Sequence, residues 1–322
     1  MAKVTETMKN QTIGVEIEMN HITRQYAAMI AAGFFGTNHF ENTAYIHGYK
    51  TWSAWDAQGR EWKFQRDVSI SGEDDLKCEM VTPILKYEDI ETLQELVRIL
   101  RKAGAVSNAK NGCGVHIHIG ADGHTAKSLR NLVNIMASHE ELIGQAIHID
   151  HARTEQYCKV TNQNFLKELN AKKPETMEQL KDIWYNTQGC GYGTQEHYNP
   201  SRYHMLNLHA TFTKGTVEFR LFQFDNPHGQ SKGGLHAGKL KAYIQLALAI
   251  NQAAKEAKTA SPKKLVTDNP KYAMRCWLLR MGFIGEEFKT AREHLTCKLD
   301  GDAAFRHGRQ QGETGTEEQG AA

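Results

Sequence analysis

The sequence predicts an α+β fold with a mainly antiparallel sheet, and three observations carry that expectation. Short runs of alternating apolar and polar residues lie irregularly among stretches of 3.6-residue apolar periodicity, without the regular strand-helix alternation of a doubly wound sheet. Two such runs flank Lys214-Gly215 as the arms of a hairpin would. Three of the runs also carry an unusual polar side, each with a pair of residues drawn from Glu, His and Arg.

Taken in order, Thr12 to Met19 (TIGVEIEM) alternates cleanly and reads as the first strand. Trp52 to Ile70 reads as extended chain with a turn near Asp56 to Gly59, and Lys77 to Val81 as a further strand. In Asp89 to Ala103 the residues Ile90, Leu93, Val97 and Leu100 share one helical face, and Gly104 is a natural stop. Gly114 to Ile119 (GVHIHI) returns to strand periodicity. Thr125 to His148 is helical through Leu129, Leu132, Val133 and Met136, and Pro174 suits a first helical position ahead of Met177, Leu180, Ile183 and Trp184. His204 to Thr213 and Thr216 to Phe222 (TVEFRLF) read as strands, and Gly238 to Lys258 and Lys271 to Met281 as helices. One folded domain is expected over residues 1–300. From Gly301 to Ala322 the chain turns to Gly, Gln, Glu and Thr with almost no apolar residue, which predicts a disordered tail.

With 39 Lys plus Arg against 37 Asp plus Glu, the net charge of +2 argues against a surface that coats nucleic acid, which needs a basic excess. No segment approaches the roughly 20 apolar residues of a membrane helix. The opening MAKVTETMKNQTIG lacks the apolar core of a signal peptide. The six cysteines show no zinc-ribbon or redox spacing, so reduced thiols in a cytoplasmic protein are expected.

The chemistry lies on the polar sides of three strands. TIGVEIEM places Ile13, Val15, Ile17 and Met19 on one face and Glu16 with Glu18 on the other; GVHIHI leaves His116 and His118, and TVEFRLF leaves Glu218 and Arg220. Carboxylates at i and i+2 lie about 7 Å apart. In a cleft, their repulsion and desolvation call for a positive partner, and a divalent cation is the usual one. Exposed amphipathic strands would show the same alternation, and an HxH strand can also hold zinc.

In these residues the sequence resembles the amidoligase family of the carboxylate-amine ligase superfamily, which includes glutamine synthetase and the glutamate-cysteine ligases. GVEIEMN is similar to the family's first-strand ExE, and WKFQRDVSISGEDDLKCEMVTPIL to its Asp-x-Ser strand followed by a Glu before a Ser/Thr-Pro turn. NGCGVHIHIG resembles the glycine-rich HxH strand, RTEQYC and NPSRYHMLNL the arginine-containing segments, and GTVEFRLF the terminal Glu-x-Arg strand. The motifs follow the family's order from about Gly14 to Phe222.

The resemblance implies a glutamine synthetase-like catalytic fold, with helices on one sheet face and an acidic, metal-binding face opposite. It implies ATP-dependent joining of a carboxylate and an amine, from small molecules or peptides, through an acyl phosphate. Glu16 and Glu18 would bind magnesium, or manganese in its place, with Glu79 completing one site and Glu218 and His116 the other. Arg220 would hold the transferring phosphate, His118 would lie near the nucleotide phosphates, and Arg202 would counter phosphate or carboxylate charge. Asp67, Ser69, Arg153 and Tyr157 would sit on the substrate side. Asn207 reads as a sheet-edge polar residue, and His39, His47 and His124 as surface histidines. The alternatives are a zinc-dependent amide hydrolase using His116, His118 and a Glu, and a binding module whose site has decayed. The aromatic-rich stretch Phe34 to Trp62 and the Gly/Tyr loop Gly189 to Tyr203 are candidate specificity elements.

Overall fold

A computed structural model describes residues 2–196, 198–231 and 233–306. The expected tail therefore lies outside the described residues beyond Arg306; before that point, Asn269 Nδ2 donates to the carbonyls of Phe305 and Arg306.

The chain runs α1 (Ala2–Lys9), β1 (Ile13–Met19), α2 (Arg24–Phe34), β2 (Phe40–Asn42), α3 (Ala44–His47), β3 (Trp52–Trp55), β4 (Glu61–Gln65), β5 (Cys78–Val81), α4 (Ile90–Lys102), β6 (Val115–Gly120) and α5 (Ala126–Ile147). It continues through α6 (His151–Gln156), α7 (Gln163–Lys172), α8 (Met177–Thr187), β7 (Leu206–Asn207), α9 (His209–Lys214), β8 (Thr216–Phe222), α10 (Ala237–Glu256), α11 (Pro270–Arg280) and α12 (Lys289–His294). The strands form one eight-stranded sheet in the order β2-β3-β4-β5-β1-β6-β8-β7, with every neighbouring pair antiparallel. The class expected from periodicity is α+β with an antiparallel sheet, and that is the class observed.

The alternation decides the two faces. Ile13, Val15, Ile17 and Met19 of β1, Val115, Ile117 and Ile119 of β6, and Val217, Phe219 and Leu221 of β8 are all buried in the core with the helical layer. Each such side chain contributes about 1.5–3 kcal/mol relative to exposure. Helix α10 packs against β6 and against α4, α5 and α12, while the alanine face of α2 (Ala27, Ala28, Ala31 and Ala32) lets that helix lie close over β3 and β4. No helix among the described residues is long and apolar enough to cross a membrane.

Two local expectations need correction. Pro174 is not at a first helical position: Thr176 accepts from the Gln179 amide and Gln179 caps back, so the helix begins at Met177. His204 to Thr213 is not one strand. Only Leu206–Asn207 pairs with β8; the Asn207 side chain then accepts from the His209 amide, the chain turns into α9, and Gly215 closes that helix at φ +71°. The hairpin arms are joined by a short helix rather than a tight turn, because a left-handed glycine ends a helix as readily as it makes a turn. Helices α1, α2, α6, α7 and α12 were not expected from periodicity.

The β6-β8 pairing has a bulge. Val115 faces Phe222 and Ile117 faces Phe219, so His116 alone opposes both Arg220 and Leu221. The extra residue reverses the alternation, and Phe222 turns to the helical side, stacking on Tyr243 of α10 with ring centroids 4.6 Å apart.

Candidate active site

Over the face opposite that core lies a cleft of about 640 Å³, floored by β4, β5, β1, β6 and β8 and walled by the loops around Tyr49, Asp67 and Tyr198. Antiparallel register builds its floor: Glu18 stands opposite Glu79, Glu16 opposite His116, and His118 opposite Glu218. Residues distant in sequence thereby become cross-strand neighbours.

Potential ligand atoms group in three overlapping sets, each within 4.8 Å: Glu16, Glu79 and His116; Glu16, His118 and Glu218; and Glu18, Asp67 and Glu79. His116 Nδ1 lies 3.1 Å from Glu16 Oε2, and the Gly114 amide donates to Glu18 Oε2 at 2.5 Å. His118 Nδ1 bonds the Thr216 hydroxyl at 3.0 Å, while its buried Nε2, 3.3 Å from Glu16 Oε1, makes no aligned hydrogen bond. Arg220 Nη1 donates to Glu218 Oε1 at 2.6 Å, and Asn207 Nδ2 to Glu218 Oε2 at 2.6 Å. The buried Arg220 Nε has no partner among the described residues.

The charges in the cleft shift one another. Burial alone would raise the Glu16 and Glu218 acids, but the imidazoles beside Glu16, and Arg220 with the imidazoles beside Glu218, hold both well below the usual carboxylate range. Burial disfavours a charged His118, yet Glu218 and Glu16 outweigh it and raise its pKa. Glu79 moves the other way: burial, then the charges of Glu16, Glu18 and Asp67, push it well up despite the bond it accepts from Gln65 Nε2 at 2.7 Å. Carboxylates crowded to this degree are a donor set suited to a hard divalent cation.

Every site residue expected from sequence lies in or directly beneath this cleft, but the structure groups them differently. Asp67 joins Glu18 and Glu79, and His118 joins Glu218. Ser69 donates its backbone amide and hydroxyl to Asp67 Oδ1 at 2.6 and 2.7 Å, holding that carboxylate in place. Arg153 is buried, donates through Nη2 to the Arg220 carbonyl at 3.1 Å, and lines the cleft with Tyr157. Its guanidinium fills the space beside Gly114, where a Cβ would lie 2.1 Å from Nη1. Arg202 packs against the Tyr198 and Tyr203 rings, 5.5 and 5.7 Å from their centroids, and Arg220 also lies over Tyr203.

Sequence reasoning missed several members. Asn207 is not a bystander at the sheet edge, because it holds Glu218; only its position directly across from Glu218 reveals this. His47 is not simply a surface residue: it bonds Glu61 at 2.8 Å and lines the cleft. His124 is half-buried, bonded to Ser128 and Asn251, and driven down to about 4 by burial. His39 is exposed and stacks on Trp55. Both stretches read as candidate specificity elements reach the cleft mouth, where the Tyr49 and Tyr198 hydroxyls meet at 3.1 Å. Gly48, Tyr49 and Lys50 all have positive φ, a conformation that non-glycine residues adopt at a cost.

The sheet gathers carboxylates, imidazoles and guanidinium groups in one cleft. The family model described as "putative amidoligase enzyme" matches residues 9–251, and the chain belongs to that family, one of ligase-type enzymes that form amide bonds. The matched span contains all of the candidate residues above. No curated protein matches the chain.

Proposed function

We propose that the chain is an ATP-dependent carboxylate-amine ligase with a glutamine synthetase-like catalytic fold. A carboxylate oxygen takes the γ-phosphoryl group of ATP and releases ADP, and an amine then attacks the carbonyl of the acyl phosphate, expelling phosphate and giving up a proton. The observation that carries this reading is the convergence of Glu16, Glu18, Glu79 and Glu218 with Arg220 in the cleft of an amidoligase-family chain. The family assignment does not favour the zinc hydrolase, and the mostly carboxylate donor set suits a hard cation better than zinc.

Glu16, Glu18, Glu79, His116 and Glu218 would hold magnesium, or manganese in its place, and the grouping of Asp67 with Glu18 and Glu79 adds a ligand. The crowding of Glu16, Glu18 and Asp67 around Glu79, which pushes its pKa up, fits a missing positive charge. When bound, the metal neutralises phosphate charge. Arg220, held through Nη1 by Glu218 and with Nε free to donate, presents a planar fork to the transferring phosphoryl group, and Arg202 supplies a second guanidinium at the cleft wall. Arg153 and Tyr157 border the substrate, a small molecule or peptide. Catalysis on this reading is mainly positioning and electrostatics.

The test is release of phosphate from ATP and magnesium across a panel of carboxylates and amines. Glu16→Gln and Glu218→Gln should abolish turnover with an unchanged circular dichroism spectrum. Full activity in either variant would overturn the assignment.

A further inference from the structure

Two guanidinium groups of the cleft share one aromatic ring. The Cζ atoms of Arg202 and Arg220 lie 5.7 and 5.8 Å from the centroid of Tyr203, each within the roughly 6 Å at which the negative face of a ring attracts a cation. Arg202 also lies over Tyr198, whereas Tyr203 is the one ring under Arg220 among the described residues. Arg220 makes a single side-chain hydrogen bond there, from Nη1 to Glu218 Oε1. A planar group held by one corner can turn about it, so the direction of the fork is set by the surface it lies on.

That surface is firmly placed. The Tyr203 carbonyl accepts from the Lys159 amide at 3.0 Å, and its amide donates to the Pro200 carbonyl at 3.3 Å. Buried Ser201 accepts from Trp184 Nε1 of α8 at 3.0 Å, and His204 Nδ1 donates to the Ser201 carbonyl at 2.9 Å. Two residues past the ring, the Met205 carbonyl accepts from the Arg220 amide at 2.9 Å, which ties this segment to the strand that carries Arg220. Among the described residues the Tyr203 hydroxyl makes no hydrogen bond. The ring rather than the hydroxyl is the part in use.

The geometry points to Tyr203 as a positioning residue, whose ring holds the guanidinium groups of Arg202 and Arg220 together and aligned before an anion enters. The two like charges repel, the ring face offsets part of that repulsion, and a clamp formed in advance loses less freedom on binding. The inference rests on the ligase reading only for naming the anion, the transferring phosphoryl group.

Calorimetric titration of the full chain with inorganic tripolyphosphate in the presence of magnesium reads the clamp without turnover. Tyr203→Phe keeps the ring and should bind within about twofold of the parent, whereas Tyr203→Leu should bind on the order of 5- to 30-fold more weakly, the range for a cation over a ring. Tyr203→Met replaces the leucine variant if circular dichroism shows that leucine disturbs the fold. In an Arg220→Lys background, which has no planar group to align, Tyr203→Leu should cost less than it does in the parent, because both substitutions act through one contact. Tripolyphosphate binding that is absent from the parent, that survives loss of the ring or that falls as far in Tyr203→Phe would overturn the role, as would equal costs in the two backgrounds. Phosphate release from ATP on the carboxylate and amine panel separates the two claims. Ring-dependent tripolyphosphate binding without phosphate release in the parent keeps Tyr203 as a positioning residue and removes the ligase reading, whereas phosphate release with binding indifferent to the ring does the reverse.

Discussion

Asn207 shows how much a single side chain contributes to this centre. Its amide donates to Glu218 Oε2, its carbonyl oxygen accepts from the His209 amide, and it is almost fully buried, so both ends are committed. Asn207→Ala should leave Glu218 held through Oε1 by Arg220 alone and, on the proposed function, raise the magnesium concentration for half-maximal turnover about 10- to 100-fold, the range for residues that orient a metal-binding side chain. An unchanged magnesium requirement would remove Asn207 from the site. Arg220 is equally constrained, with Nη1 on Glu218 and its ring neighbour Tyr203 below. Arg220→Lys keeps the charge but loses the planar fork, so turnover should fall on the order of 100-fold or more while the unfolding midpoint changes little.

At the scale of elements, β6 and its neighbours explain both the site and part of the stability. Gly114 enters β6 with no room for a side chain, because the Arg153 guanidinium occupies that space and the Gly114 amide holds Glu18. Gly114→Ala should displace a buried arginine and lower stability by about 1–3 kcal/mol, measured by urea unfolding. After β6, the loop carrying His124 is fixed to α10 through Asn251. Because burial lowers the His124 pKa from 6.5 to about 4, the unfolded chain takes up this proton first on acidification. The stabilisation is therefore complete above about pH 6.5 and is lost as the pH falls toward 4. His124→Gln should flatten that part of the stability profile, and an unaltered acid slope would show that other groups dominate it.

For the whole molecule, the sheet sets function against stability. Four buried or half-buried glutamates converge on its open face. Glu79→Gln replaces the acid whose ionisation is opposed by burial and by the charges of Glu16, Glu18 and Asp67. It should raise the thermal unfolding midpoint of the metal-free chain and reduce the further stabilisation by magnesium, which in the parent should reach about 2.7 kcal/mol at 100 times the dissociation constant. A variant that is destabilised without metal would show that the carboxylate is structural.

The sequence by itself determined the class of fold, the five longest regular elements outside α2, and the residue types of the centre, because strand alternation and helical periodicity are local properties that separate one face from the other. It also determined which side chains on β1, β6 and β8 face away from the core. Tertiary structure decided everything that depends on register: Glu16 against His116, Glu18 against Glu79, Asn207 against Glu218, and Lys63 one strand beyond Val81. It also decided the bulge that sets Arg220 and turns Phe222 inward, and the short helix where a hairpin turn was expected. The physical reason is that periodicity reports the side of an element a residue occupies, whereas cross-strand neighbours are chosen by hydrogen bonding and packing between segments far apart in the chain.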